Sequence, residues 1–357
     1  ATIGQIMADA PDKEASNEPA QKEAAHAEAA SKPDDTQAAL ARAWRDAEHI
    51  LPLDEVVRKE VWEGSIPIRL ALAPQDISTF DPPLPFYVQA PRMGYLPLAL
   101  GPARAYFQSY APSLNSAERE MWLDYKGTPL KWHVPTGVLF DLLAQEDELP
   151  WPLTVHLSGY PEKQLLPYTG EGGVKCHFRQ TLKQGACLRN GTSKRVNHLS
   201  VSQMEQMWTA ILNNDFVRFS EVGAEILKPS QPGVGGLSEI KRLPVRVLLP
   251  HLPSPIQQPF SPFKPNGSLL TLGELLNTLL PTFPNIFPGS AAKDGAEKEQ
   301  EGDDTEGEGK KGDSVAVVVV QGIQPPIQTP VLWLCQQLSA CDGFVYVSVV
   351  PRAQEKV

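Results

Sequence analysis

The chain has 357 residues, of which 41% are hydrophobic, and its 42 acids against 32 bases give a net charge of −10. Residues 1–50 hold ten acids and five bases and residues 290–313 hold nine and four, which leaves 23 of each in the remainder. A balanced body without a basic stripe argues against a nucleic-acid binder. Because no run approaches the ~18 apolar residues of a membrane span and the first thirty residues lack a signal-peptide core, we expect a cytoplasmic protein.

The N-terminal segment, residues 1–50, is rich in Ala, Glu, Lys, Asp and Pro and poor in large apolar groups. Such a composition does not offset the entropy of ordering, so we predict a disordered acidic tail. Within it, residues 37–49 have the pattern of a short helix, which is more often transient than docked, and Met7 is a candidate native start. A helix from Leu53 to Trp62 follows, with Asp54 as its N-cap.

The next region predicts a sheet with helices on one face. Apolar periodicity predicts strands at 66–73 and 86–92, a helix at 102–110, a strand, turn, strand and helix at 121–143, and a strand at 151–157. Gly127 is typical of a tight turn, and Pro135 suits the first position of a helix. A mixed sheet covered on one face by helices buries these apolar faces. This order of elements suits a ubiquitin-like β-grasp.

A helix-rich region follows Tyr160. One helix is predicted at 174–188 and a strongly amphipathic one from Ser202 to Phe219. Ser202 and Glu205 have the spacing of a capping box at the start of that second helix. Pro and Gly residues at 229–236 then indicate a hinge-like linker.

The pattern of residues 121–143 recurs near the C-terminus. Gly127 precedes Pro135 by eight residues, Gly322 precedes Pro330 by eight, and a Leu stands four residues beyond each Pro. These matched spacings are too far apart in the chain for a solenoid. They predict two copies of one small α+β domain.

The second copy is predicted to begin with a strand at Leu243 and an edge strand near 257–263, followed by a helix that Thr271 and Glu274 cap. The acidic residues 290–313 are predicted to form a disordered insertion. The fold class is therefore α+β, with two ubiquitin-like β-grasp domains flanking a helix-rich domain. The predicted boundaries are a tail at 1–50, a helix plus first ubiquitin-like domain at 51–168, a helix-rich domain at 169–236 and a second ubiquitin-like domain at 237–357.

Side chains that could carry catalysis are scattered. His133 and His156 lie near predicted strand ends, and Cys176 adjoins His177, but neighbours in sequence rarely form a nucleophile and base pair. The four Cys have neither Cys-x-x-Cys nor zinc spacing, so we expect reduced thiols and no metal. No phosphate-binding glycine loop is present, so we expect no cofactor. The sequence reads as a scaffold, and a catalytic Cys176 or Cys187 is a remaining alternative.

Several motifs together resemble the autophagy protein five family. The distinctive ones are WLDYKGTPLKWHVPTGVLFDLL and LPWPLTVHLSGYPEKQLL, and shorter ones are VRKEVWEGSIPIRLAL, LKQGACL, TLGELL and TPVLWL. They occur in the same order as in that family, with gaps, from about Leu53 to Pro351. The resemblance implies two ubiquitin-like domains flanking a helix-rich one, which agrees with the internal repeat.

The resemblance also implies a function. In this family the ubiquitin-like autophagy protein twelve is joined through its C-terminal Gly to one Lys of the helix-rich domain. That Lys follows a His-Phe pair, which identifies Lys183 in HFRQTLK as the expected acceptor, with Lys175 and Lys194 as nearby alternatives. The conjugate acts with autophagy protein sixteen as an E3-like factor that brings the lipid-conjugating E2 to the membrane. It thereby promotes transfer of autophagy protein eight to phosphatidylethanolamine on the forming autophagosome.

Autophagy protein sixteen is expected to insert an amphipathic helix into a groove among the domains. Trp62 and Tyr95 are candidates for exposed aromatic residues that line this groove, although the sequence does not separate groove residues from core. Contact with the membrane is expected to be peripheral and weak, because the body has no polybasic patch. The main alternative is a tandem ubiquitin-like adaptor that binds partners without being modified.

Overall fold

A computed structural model of the chain describes residues 53–111, 121–144, 148–227, 240–281 and 316–351. The predicted acidic tail, with its short helix at 37–49, lies outside these residues. So do the predicted linker and the acidic insertion.

The first unit is a five-stranded mixed sheet with helices. Its elements are, in chain order, α1 (Glu55–Glu63), β1 (Ser65–Leu72), β2 (Phe86–Pro91), α2 (Leu96–Ala99), α3 (Gly101–Gln108), β3 (Trp122–Tyr125), β4 (Thr128–Pro129), α4 (Thr136–Leu143) and β5 (Trp151–His156). The strand order is β2-β1-β5-β3-β4, in which β1 and β5 are parallel and the other neighbours are antiparallel. The predicted β-grasp is therefore confirmed.

Short-range chemistry sets the ends of these elements. The Asp54 side chain caps α1 by accepting hydrogen bonds from the N–H groups of Val56 and Val57, at 2.9 and 3.2 Å. Lys126 and Gly127 have φ angles of 50° and 81°. Two consecutive left-handed residues form the tight turn whose twist matches the flanking strands, here β3 and β4.

The helical region comprises α5 (Gly170–Asn190), α6 (Lys194–His198), α7 (Val201–Leu212) and α8 (Phe216–Leu227). The predicted capping box at Ser202 and Glu205 is wrong. Ser200 is the N-cap of α7, because its backbone is still extended, and it exchanges hydrogen bonds with Gln203. Both pairs fit the same sequence pattern, and the structure places the helix start two residues earlier.

The single helix predicted from Ser202 to Phe219 is also wrong, because α7 and α8 are separate helices that pack together. The chain reverses at Asn214, whose φ of 53° is left-handed and which as an Asn tolerates that conformation. Asp215 then accepts a hydrogen bond from the N–H of Arg218 at 3.1 Å. The apolar periodicity continues across the break and therefore concealed it.

The second unit repeats the first. Its elements are β6 (Val245–Leu248), α9 (Leu272–Leu279), β7 (Ala316–Val319), α10 (Val331–Gln337) and β8 (Val345–Pro351). The strand order is β6-β8-β7, with β6 parallel and β7 antiparallel to β8. This corresponds to β1-β5-β3, and Gln321 and Gly322, with φ of 51° and 78°, match the turn after β3. The capping box of Thr271 and Glu274 is present.

The edge strand predicted near 257–263 is not formed as a strand. Two isolated antiparallel bridges, Leu243 to Phe260 and Val247 to Ile256, take its place beside β6. Five prolines from residue 250 to residue 262 remove backbone donors along this segment, which explains why regular pairing does not develop.

Two clusters of buried side chains hold the units together. One lies within the second unit, between its sheet and α9 and α10. The other extends through the first unit and the helical region and takes in Phe344 and Tyr346 from the second unit. All three parts of the described chain therefore pack against one another, and their junction is where the candidate sites lie.

Candidate functional site

Lys183 lies in the third turn from the end of α5. Its neighbours Leu182 and Ala186 are buried, whereas Gln180 and Cys187 are exposed and Lys183 itself is half-buried. Among the residues that the structure describes, the Lys183 amine has no hydrogen-bond or ion-pair partner. A lysine amine without such a partner can lose a proton and attack an acyl carbon.

The two alternative acceptors have different surroundings. Lys175, two turns earlier in α5, is half-buried and forms an ion pair with Glu205 of α7. Lys194 is exposed at the first residue of the five-residue helix α6. Lys175 would have to break its ion pair before reacting, whereas no described residue engages the Lys183 amine.

A cavity of about 120 Å³ opens where the three parts of the chain meet. Its walls come from α1, α5, α7 and α8, from Met93 after β2, and from the end of α10 and the segment between α10 and β8. Most of the lining is apolar, and the cavity is the strongest candidate for a groove that receives a partner helix. Successive residues of a helix are 100° apart, so Lys183 lies on a different face of α5 from Leu182, which lines the cavity.

The two aromatic residues expected at the groove differ. Trp62 is only 4% exposed, so the expectation that it is an exposed residue is wrong, but it lines the cavity and lies on Phe219 with ring centroids 4.4 Å apart. Tyr95 was expected to be an exposed aromatic residue, and this expectation is wrong. It is 2% exposed and its hydroxyl lies 3.7 Å from the Cys341 sulfur, so it joins the first unit to the second.

Polar contacts fix the geometry of the junction. Asp141 of α4 lies 2.6 Å from the Arg92 guanidinium and accepts a hydrogen bond from the N–H of Gly322 at 2.8 Å. The pKa of Asp141 is raised because burial outweighs the opposing effect of Arg92. Gly185 of α5 allows close approach, because a Cβ at this position would lie 3.2 Å from the carbonyl oxygen of Asp342. The first unit and α5 are thus each held against the second unit.

Among the described residues, the histidines and thiols considered as catalytic candidates are not brought together as a nucleophile and base pair. His156 bonds to Asp124 and lies 3.1 Å from the Gln75 amide, with no thiol or hydroxyl among these partners. The exposed thiols of Cys176 and Cys187 have no hydrogen-bond partner among the described residues. Burial raises the pKa of Cys335 to about 12 and that of Cys341 still higher.

Imidazoles meet where the first unit contacts α5. The rings of His133 and His177 have centroids 4.8 Å apart, and burial is the main cause that lowers the pKa of His133 to about 4 and also lowers the pKa of His177. Within the described ranges, no group of three or more His, Cys, Asp or Glu side chains is arranged to hold a metal. The helices of these ranges include none that is long and apolar enough to cross a membrane.

Sequence reasoning did not find the cationic part of the cavity. Arg58 of α1 and Arg189 of α5 both line it. They are 131 positions apart in the chain, and neither belongs to a recognisable motif. The only sequence signal was that each lies on a predicted helix, and such residues are usually solvated.

Comparison with known proteins identifies three matching family models. Residues 61–157 match the UblA domain of autophagy protein ATG5, residues 173–229 match its alpha-helical bundle region, and residues 242–349 match its UblB domain. These models cover most of the chain in the order that the internal repeat predicts.

Whole-chain relatives agree with the family models. Autophagy protein 5 of Arabidopsis thaliana is 31% identical over 338 residues, which cover 84% of this chain and 98% of the relative. Autophagy protein 5 of Aspergillus clavatus is 29% identical over 338 residues, covering 82% of this chain and 96% of the relative. The crystal structure of Kluyveromyces marxianus Atg5 matches with a TM-score of 0.65 at 23% identity, covering 84% of this chain and all of that one.

Proposed function

The chain belongs to the autophagy protein 5 family, and from this premise we propose that it is a non-catalytic scaffold conjugated to a ubiquitin-like protein at Lys183. Autophagy protein twelve is the proposed modifier. The Lys183 amine attacks the C-terminal carbonyl of the modifier on an E2 thioester. A C–N bond forms, the C–S bond breaks, the E2 thiol leaves and the amine gives up a proton.

The observation that carries this proposal is the state of Lys183. It has the expected position after the His177-Phe178 pair, and no described residue bonds its amine, whereas Lys175 is paired to Glu205. A reacting amine must be reachable by the E2 and not engaged in an ion pair, and Lys183 meets the second condition where Lys175 does not.

The groove supports a second part of the proposal. We assign the cavity at the junction of the three parts to the amphipathic helix of autophagy protein sixteen, which would pack on its apolar walls. Lys183 does not line this cavity, so conjugation at Lys183 and helix binding in the groove are compatible on one molecule.

The role of the assembled complex follows from the family resemblance. The conjugate, with autophagy protein sixteen, would act as an E3-like factor that brings the lipid-conjugating E2 to its membrane and promotes lipidation of autophagy protein eight with phosphatidylethanolamine. The chain would then be a cytoplasmic protein recruited to the phagophore through peripheral contact. No side chain of this protein is required to form a covalent intermediate.

Reconstituted conjugation tests the proposal. The full chain is incubated with the E1-like and E2-like enzymes, autophagy protein twelve and ATP, and the shifted band is followed with time. Lys183→Arg is expected to abolish the band, and the matched control Lys175→Arg to leave its rate unchanged. Conjugation of Lys183→Arg at the wild-type rate would refute the assignment, and absence of any band with the wild type would favour the unmodified adaptor.

A further inference from the structure

The groove contains cationic and polar groups that no described residue pairs with. Arg189, in the last turn of α5, lines the cavity, and its guanidinium has no hydrogen bond or ion pair with any described residue. The buried Asn190 Nδ2 and Trp62 Nε1 atoms, on residues that line the same cavity, have no hydrogen-bond partner within the described part of the chain. Desolvated donors of this kind are costly unless something pairs with them.

The surroundings of Arg189 are positively charged. Its pKa is lowered first by burial and then by the charges of Arg58 and Arg195, and the Cys335 thiol is the group that opposes them. Arg58 lies over the Phe216 ring at 5.6 Å, and the acid that acts on it is Glu55 of its own helix. No carboxylate of the described residues forms an ion pair with Arg58 or Arg189.

A purely structural role for Arg189 is the simpler explanation, because a cation is favourable at a helix C-terminus. This role does not explain why the guanidinium of Arg189 has no partner among the described residues. The carbonyl oxygen of Arg189 already accepts a hydrogen bond from the N–H of Lys241 at 2.6 Å, and Gly191 ends the helix in a left-handed conformation. The helix end is thus capped by other groups, while the five N–H donors of Arg189 remain available to a ligand.

We propose that the helix that fills this groove carries an Asp or Glu on its apolar face and that this carboxylate pairs with Arg189, with Arg58 as the second nearby cation. Apolar side chains one helical turn to either side of the carboxylate would pack on Trp62 and Phe219. This inference rests on the proposed function, which assigns the groove to a partner helix. It adds the chemistry that selects the helix, because a planar guanidinium binds a carboxylate with two parallel hydrogen bonds.

The walls of the groove favour an acidic peptide helix over other anionic ligands. The lining combines α-helical surfaces from α1, α5 and α8 with apolar residues such as Met207 and Ile226, which suits side chains at helical spacing. A lipid phosphate would suit the guanidinium groups equally well and is therefore included as an outcome of the test.

Selection from a displayed library of 18-residue amphipathic helices tests the proposal. One position on the apolar face is fully randomised, and the library is selected on the full chain. Asp and Glu are expected to be enriched at that position over Asn and Gln. The bound peptide and its Glu→Gln version are then titrated against three proteins: wild type, Arg189→Met, and the matched control Arg179→Met, which removes an exposed Arg from the same helix.

The expected result is that Glu→Gln weakens binding about tenfold or more on the wild type and on Arg179→Met, and less than twofold on Arg189→Met. Arg189→Lys, which keeps the charge, should retain part of the preference. Circular dichroism and thermal melting establish that each variant is folded.

Two further measurements separate the possible failures. Phe219→Ala is expected to abolish peptide binding, because Phe219 lies in the groove wall. If helices bind in a Phe219-dependent manner without preferring an acid, the carboxylate proposal is wrong and the groove assignment stands. If Phe219→Ala has no effect, the groove assignment itself fails. Binding of phosphoinositide vesicles that depends on Arg189, with no acid preference among peptides, would overturn the proposal in favour of a lipid phosphate.

Discussion

His133 makes the stability of the protein depend on pH in a calculable way. Its imidazole is partly buried between the first unit and α5, with His177, Lys131 and Arg246 as the charged or titratable groups that face it. Its Nδ1 atom is buried, and none of the residues that the structure describes forms a hydrogen bond with it. Burial, followed by these positive neighbours, lowers the pKa of His133 from 6.5 to about 4.

The sign of the change in stability with pH follows from proton binding. On acidification the unfolded chain protonates this His near pH 6.5, whereas the folded chain does so only near pH 4. The contribution of His133 to the free energy of unfolding is therefore fully present above about pH 6.5 and is lost as the pH falls toward 4. At about 1.4 kcal/mol per pH unit the complete loss is about 3 kcal/mol, and the loss between pH 7 and pH 5 is about 2 kcal/mol.

The assay is urea unfolding of the wild type and His133→Gln at several pH values from 7 to 5. Other groups titrate as well, so the informative quantity is the difference between the two pH profiles. The variant is expected to lose about 2 kcal/mol less than the wild type over this range. His198→Gln, which removes an exposed imidazole, is the matched control. Parallel profiles for the wild type and His133→Gln would refute the reasoning.

Two further predictions concern the packing of the units. Asp141→Asn leaves Arg92 without its carboxylate partner in a buried position and is expected to destabilise the protein by about 3 kcal/mol in urea unfolding; a change below 1 kcal/mol would show that solvent already screens the pair. Leu139→Ala and Leu334→Ala truncate equivalent buried positions, 3% and 0% exposed, and each is expected to cost about 2 to 5 kcal/mol. A large cost at only one of these positions would contradict their equivalence.

The repeat was predictable because its signals are local. Gly127 and Gly322 stand at turns with positive φ, and Pro135 and Pro330 are the N-caps of α4 and α10. Glycine and proline restrict the backbone through their own covalent structure, so their spacing carries through to the fold.

The wrong predictions, the capping box at Ser202 and the unbroken helix, concern the ends of elements. Ser202 with Glu205 and Ser200 with Gln203 both satisfy one capping pattern, and the choice between them depends on where the backbone becomes helical. The break at Asn214 is equally invisible, because the apolar spacing continues on its far side. Sequence patterns identify an element more reliably than they identify its ends.

The residues of the candidate site also differ in whether the sequence alone could suggest them. Lys183 could be proposed from the sequence because a contiguous motif surrounds it and the family resemblance implies a role for that motif; the assignment stays a prediction. Arg58 and Arg189 could not be assigned, because they meet only after α1 and α5 have packed around one cavity. Tyr95 was misjudged for a related reason, since its hydroxyl contacts Cys341 from the other end of the chain.

Mapping the modification in native material shows whether this chain is modified at one particular lysine. The conjugate is isolated from cells by its shifted mass and digested with trypsin, and branched peptides that carry the C-terminal remnant of autophagy protein twelve are sequenced by mass spectrometry. We expect a single branch site at Lys183. A branch at Lys175, Lys194 or any other lysine would contradict it, as would a native protein that is never found with the modifier attached.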